Sequence, residues 1–104
     1  MPRITTPKRD PNRCPSHPGA VLREIVLPEV RATKSAVAAA LKISRNQLHL
    51  ILSEKQSVTP ETAVKLEAAF GGSARRWLNM QAAFDLWHAQ RTVDTSKIPS
   101  LRAA

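Results

Sequence analysis

Four side chains able to read DNA bases stand close together in the chain: Arg45, Asn46, Gln47 and His49. Arginine can donate two parallel hydrogen bonds to guanine, and asparagine or glutamine can pair in the same two-point way with adenine. That chemistry needs a helix lying in the major groove, because only there does each base pair present a distinct pattern. Ser44, just before the set, is placed to cap such a helix, its hydroxyl accepting from free backbone N–H groups two or three residues on. Leu48 and Ile51, at i and i+3, give the helix a buried side away from the readers. Upstream, Val37, Ala38 and Leu41 give a preceding helix one apolar face, with Ile43 in the turn between. Residues 33–52, TKSAVAAALKISRNQLHLIL, therefore predict a helix-turn-helix unit. Ala38 is small enough to let its two helices approach closely. Thr33, Lys34, Ser44 and Lys55 are candidates for phosphate contacts, which position a protein on DNA without specifying sequence. An ordinary pair of core-packed helices would share the apolar spacing, but cap, spacing and exposed chemistry all favour DNA.

Charge placement agrees. The chain has 104 residues and a formal charge of +8, which points to a polyanionic partner. Within residues 31–55 the bases are Arg31, Lys34, Lys42, Arg45 and Lys55, against the single acid Glu54. Basic density thus coincides with the reading helix. No stretch pairs a strong cationic face with exposed large apolar residues, so a membrane-surface helix is disfavoured, and no apolar run approaches the ~20 residues that cross a bilayer. With 42% hydrophobic residues, only 4% aromatic and 3 glycines, the core must be built from Leu, Ile, Val and Ala in helices. The length supports one domain of modest core. Cys14 is the single cysteine, so no internal disulfide forms. A reducing, cytoplasmic setting is expected. Cys14 and His17 have a C-x-x-H spacing, but His49 and His88 fall on separate helices and no second cysteine completes a metal site.

Further elements must position this unit. Residues 1–15, rich in proline and basic side chains, read as a disordered basic arm. A first helix begins near Pro18, capped by Ser16 or His17, with Val21, Leu22, Ile25 and Val26 as its core stripe and Pro28 ending or kinking it. After the recognition helix comes a polar loop over residues 53–58. Thr59-Pro60-Glu61 then starts a helix that buries Ala63, Val64, Leu66, Ala69 and Phe70 and stops at Gly71-Gly72 in a left-handed cap. Ser73 caps a last helix over residues 74–90, apolar in two rows. Trp77, Met80, Phe84 and Trp87 follow one row; Leu78, Ala82 and Leu86 follow the other. A helix apolar on two sides in so small a domain must bury the second somewhere, and a self-complementary dimer seam is the simplest place. The seam is assigned to Trp77, Met80, Phe84 and Trp87; the competing reading is that the tryptophans complete the core. The tail, residues 92–104, shows no further periodicity. No catalytic set is apparent: Asp85 and Glu24 lack a paired carboxylate, the serines read as caps, and no phosphate-cradling loop is present. The expectation is a binding protein without cofactor, not an enzyme.

The helix-turn-helix resembles the XRE/Cro type of phage repressors. The wider pattern is similar to the HigA/VapI family of antitoxins, through SHPGAVLRE at 16–24, the helix-turn-helix, and VTPETAVKLEAAFGGSARRWLNMQAAFDLWHAQ at 58–90. WLNMQAAFDLW is the most specific part, and the resemblance covers residues 16–91. It departs at Lys42, where the turn usually has glycine, and at Glu54, where Asn-Gly-Lys usually follows the recognition helix. A left-handed Lys42 would cost about 1–2 kcal/mol relative to glycine. The resemblance implies an all-α, five-helix, lambda-repressor-like domain with the helix-turn-helix formed by its second and third helices. It also implies an autorepressor that neutralises a HigB toxin, similar to RelE-type ribosome-dependent mRNA endonucleases. A two-fold dimer would offer recognition helices to half-sites about 34 Å apart on an inverted repeat. Two other readings are a plain XRE-type repressor without a toxin, and a basic RNA-binding or scaffold protein whose binding would be steeply salt-dependent without preference for an inverted repeat.

Overall fold

The computed structural model describes residues 13–103, so most of the basic arm expected over 1–15 lies outside the described residues. Five helical segments follow in order. α1 opens at Pro18–Val21 and continues through a wide π-turn, Leu22–Val26, and a tight 3-10 turn, Leu27–Glu29. α2 is Lys34–Leu41, α3 Arg45–Leu52, α4 Pro60–Phe70 and α5 Ala74–Thr92. No strand occurs among the described residues, so the all-α, five-helix expectation is met.

Each helix starts where a side chain can satisfy its first free N–H groups. The Oγ atoms of Thr33, Ser44, Thr59 and Ser73 accept from the backbone N–H three residues on, at 3.1, 2.9, 3.3 and 3.4 Å. α1 uses a different group: His17 Nδ1 accepts from Gly19 N–H at 2.8 Å. Glu67 Oε2 adds a bond to the Ala74 N–H, tying the start of α5 to α4.

The core lies where α1 packs on α3 and α5, α2 on α3 and α4, and α4 on α5, and comprises Leu22, Val37, Ala38, Leu41, Leu48, Ile51, Leu52, Val58, Ala63, Leu66 and Trp77. Three residues expected there are on the surface: Ile25, Val64 and Ala69. Ile25 is 65% exposed. The Leu27 N–H returns to Leu22 O, five residues back, because Pro28 has no N–H to continue the α ladder and its ring crowds the carbonyl four residues before it. Around the widened turn Val26 and Leu27 pack against the core, while Ile25 is left facing out. Val64 is 59% exposed and Ala69 also faces out, while Thr62, Ala63 and Leu66 form the buried row of α4. Gly71 stops α4 with φ 81° and ψ −168°, in a region open essentially to glycine, instead of the left-handed helical cap expected.

α5 corrects the sequence reading most. Its inward row is Trp77, Gln81 and Phe84, and Trp77 is 7% exposed within the chain itself. Trp77 belongs to the core and cannot be given to a seam. Gln81 is buried beside it, its Oε1 accepting from Val58 N–H at 2.8 Å and its Nε2 donating to Asp85 at 3.0 Å. A polar side chain thus occupies an inward position because the loop before α4 has a buried N–H that needs an acceptor. Met80, Phe84 and Trp87 are half-buried on their own chain. Of the other row, Ala82 and Leu86 face away from the core, with Leu86 58% exposed, while Leu78 is half-buried and packs against the core. The tail from Val93 to Ala103 is exposed, with one turn in which Asp94 caps Ser96 N–H at 2.9 Å.

Candidate nucleic-acid interface

α2 and α3 meet through Val37, Ala38, Leu41, Leu48 and Ile51, all buried, which turns the polar side of α3 outward. Arg45, Asn46 and His49 are exposed, and Gln47 is half-exposed. Lys34 at the start of α2 joins Arg45, Asn46 and His49 around one shallow cleft. The two N-termini of the helix-turn-helix thus open on the same surface, where orphan N–H groups and helix dipoles favour an anion. Thr33 and Ser44 accept from their own helices, which leaves each hydroxyl proton free to donate to a phosphate oxygen. Lys55 is exposed beyond the other end of α3, outside the cleft. None of Lys34, Arg45 and Lys55 lies within ion-pair distance of a carboxylate among the described residues. Their charge faces solvent.

Both helices of the unit end alike. The Ile43 N–H bonds to Ala38 O at 3.0 Å and the Lys42 N–H to Ala39 O at 3.1 Å. After α3, the Lys55 N–H bonds to Leu50 O at 2.8 Å and the Glu54 N–H to Ile51 O at 3.0 Å. This is the Schellman pattern twice, and it demands a left-handed residue just past the helix. Lys42 has φ 58° and Glu54 φ 65°, the two non-glycine residues at positive φ among those described.

α1 holds α3 from behind. A Cβ added to Gly19 would collide with the Ile51 carbonyl oxygen, so the two backbones touch there. Arg23 Nη1 donates to Leu52 O at 2.7 Å and lies 3.3 Å from Glu54 Oε2. His17, 2% exposed, packs its ring edge-on against Phe84 of α5 at 4.9 Å. Burial, chiefly, holds the His17 pKa below its usual value.

No family model matches the chain. Curated relatives do, among them the following two. Virulence-associated protein I of Dichelobacter nodosus is 41% identical over 75 residues, covering 72% of this chain and 69% of that protein. Antitoxin HigA-1 of Vibrio cholerae is 34% identical over 79 residues, covering 76% and 74%. Among solved structures, antitoxin GraA superposes with a TM-score of 0.77 at 32% identity, over 88% of this chain and 99% of that one. GraA in complex with its operator gives 0.74 at 28% identity, over 97% and 100%.

The chain belongs to the HigA/VapI family of antitoxins, with an XRE/Cro-type helix-turn-helix.

Lys42 and Glu54, the two positions at which the resemblance to the HigA/VapI family is read as departing, are the two non-glycine residues at positive φ among those described. Sequence reasoning did not single out Gly19 or Arg23. A glycine inside a helix is the signal that could have marked a close backbone approach, though nothing local names Ile51 as what it approaches. Among the described residues no group of three or more His, Cys, Asp or Glu side chains could hold a metal, and no helix is long and apolar enough to cross a membrane. Cys14 Sγ lies 3.6 Å from His88 Nε2, with no further ligand type beside them.

Proposed function

We propose that this chain is the antitoxin of a type II toxin–antitoxin module, a dimeric repressor of its own operon that neutralises a HigB/RelE-like mRNA endonuclease. The observation that carries the reading is the joint likeness, over most of the chain, to antitoxin HigA-1 and to GraA on its operator. The cleft of Lys34, Arg45, Asn46 and His49 supports the DNA half of it. Arg45, Asn46 and Gln47 are the main base readers, His49 a further one, and Thr33, Lys34, Ser44 and Lys55 contact phosphates. Two copies join through the outward side of α5, Ala82 and Leu86 with the half-buried Leu78 at its start, flanked by Met80 and Trp87, and grip an inverted repeat.

The test is co-expression with the small open reading frame beside this gene, scored by growth and then by co-purification. A neighbour that is toxic alone, harmless together and eluted in complex supports the antitoxin. If no neighbour is toxic and nothing co-purifies, the toxin partner is withdrawn and a plain repressor remains. A promoter duplex bound no better than a scrambled one would favour the basic RNA-binding or scaffold reading instead.

A further inference from the structure

We propose that Arg23 is a positioning residue for operator recognition, setting the C-terminal end of the recognition helix without touching DNA itself; the proposal rests on the DNA-binding reading above. A helix leaves its last carbonyls without intrahelical partners. In α3 the Leu50 carbonyl receives Lys55 and Gln56 N–H, and the Ile51 carbonyl receives Glu54 N–H. The Leu52 carbonyl receives the Arg23 guanidinium, at 2.7 Å. A cation at this end also opposes the helix dipole, and a charge-assisted bond of that length is stronger than a neutral one.

The same guanidinium reaches Glu54 at 3.3 Å, the left-handed residue on which the helix termination depends. It is carried on α1, whose backbone is pressed against Ile51 at Gly19, so the arm begins from a fixed point. Ser44 fixes the opposite end of α3 through its cap. With both ends held, the helix has one rotation about its axis, and Arg45, Asn46 and His49 meet the bases at one set of angles. Two-point pairing to a base is sensitive to those angles; attraction to phosphates is not.

The experiment measures binding of the full chain to a duplex from immediately upstream of its own gene and to a scrambled duplex of equal length and composition, at several salt concentrations. The wild type is compared with Arg23→Lys and with the double variant Arg23→Gln/Glu54→Gln, which keeps the net charge of the pair. The double variant is expected to lose about tenfold on the promoter duplex, the size of one weakened base contact. Its affinity for the scrambled duplex and its salt slope stay as in the wild type. Arg23→Lys, whose ammonium can still donate to the Leu52 carbonyl, keeps the promoter preference. Equal loss on both duplexes, with a salt slope shallower by about one, would place Arg23 on a phosphate and overturn the proposal. So would undiminished promoter preference in the double variant, or a lysine variant as impaired as the double. A wild type without promoter preference removes the DNA-binding reading itself, an outcome seen before any variant is made.

Discussion

Arg45 and Lys55 carry the same charge at opposite ends of α3, yet their removal is expected to read out differently. Arg45 borders the cleft with Asn46 and His49, where a guanidinium can pair with a guanine. Arg45→Ala should cost about 1–3 kcal/mol on the operator and relax specificity at one base pair. Lys55 lies in the loop past the helix, so Lys55→Ala should weaken binding evenly across sequences and reduce the salt slope by about one. Titrating each variant against operator duplexes carrying single base changes checks both. His17 makes a different kind of prediction. Its Nδ1 accepts from Gly19 N–H, so the fold uses the neutral ring. Burial is the largest cause lowering its pKa from 6.5; Glu54 and Asp85 oppose the shift and Arg23 adds to it. Between the lowered folded value and 6.5 the unfolded chain binds more protons, so stability rises with pH across that window. It is complete above 6.5 and is lost as pH falls toward the folded value. The melting temperature should therefore drop as the pH is lowered below 6.5. His17→Asn, which keeps a capping oxygen that does not titrate, should show a flatter profile.

At the scale of elements, the two Schellman ends of the helix-turn-helix set a comparison. Lys42 and Glu54 both hold φ near 60°, at 58° and 65°. Lys42→Gly removes that strain and should stabilise the fold by about 1 kcal/mol, which for a domain of this size raises the melting temperature by about 4–8 °C. Glu54→Gly removes similar strain but also the contact with Arg23, a partly exposed pair worth about 0.2–1 kcal/mol, so its gain should be smaller. Thermal unfolding of the two variants side by side decides it. Legibility followed the range of the interaction. Thr33, Ser44, Thr59 and Ser73 could be read as caps because each bonds within its own first turn. The left-handed turn at Lys42 was legible because a family glycine was missing there. Ile25 was misplaced because the reading assumed an α period, whereas Pro28 forces a wider turn before it. The burial of Gln81 had no local signal, because its partner, Val58 N–H, lies 23 residues away. Gly19 and Arg23 act on α3 across similar distances, and no periodicity records a close approach of that kind.

Across the whole molecule, the proposed dimer makes the outward row of α5 the feature that would set how many recognition helices meet the DNA at once. Trp77 is held in the core and Leu78 packs against it, so the row left for a partner is Ala82 and Leu86, which the exposed Val93 extends past the helix end. Opposite that row the helix contacts α4 and α1 of its own chain, so a second copy on the outward face leaves the packing of the core unchanged. Placing a charge there should divide the dimer without unfolding the subunit. Leu86→Glu is expected to elute as a monomer, with helical content and melting behaviour close to those of the isolated subunit. Trp77→Ala, by contrast, empties a core site and should destabilise by about 3–5 kcal/mol. A divided dimer loses the intramolecular second contact, so Leu86→Glu should bind an inverted-repeat operator about 10²–10⁴-fold more weakly. On a single half-site it should equal the wild type, because Arg45, Asn46 and His49 are untouched. Inserting half a turn of DNA, about 5 base pairs, between half-sites should weaken the wild type as Leu86→Glu does and leave that variant unaffected. Light scattering with paired full-site and half-site titrations tests the assignment. A Leu86→Glu protein that remains dimeric and keeps full operator affinity would move the seam to Met80, Phe84 and Trp87.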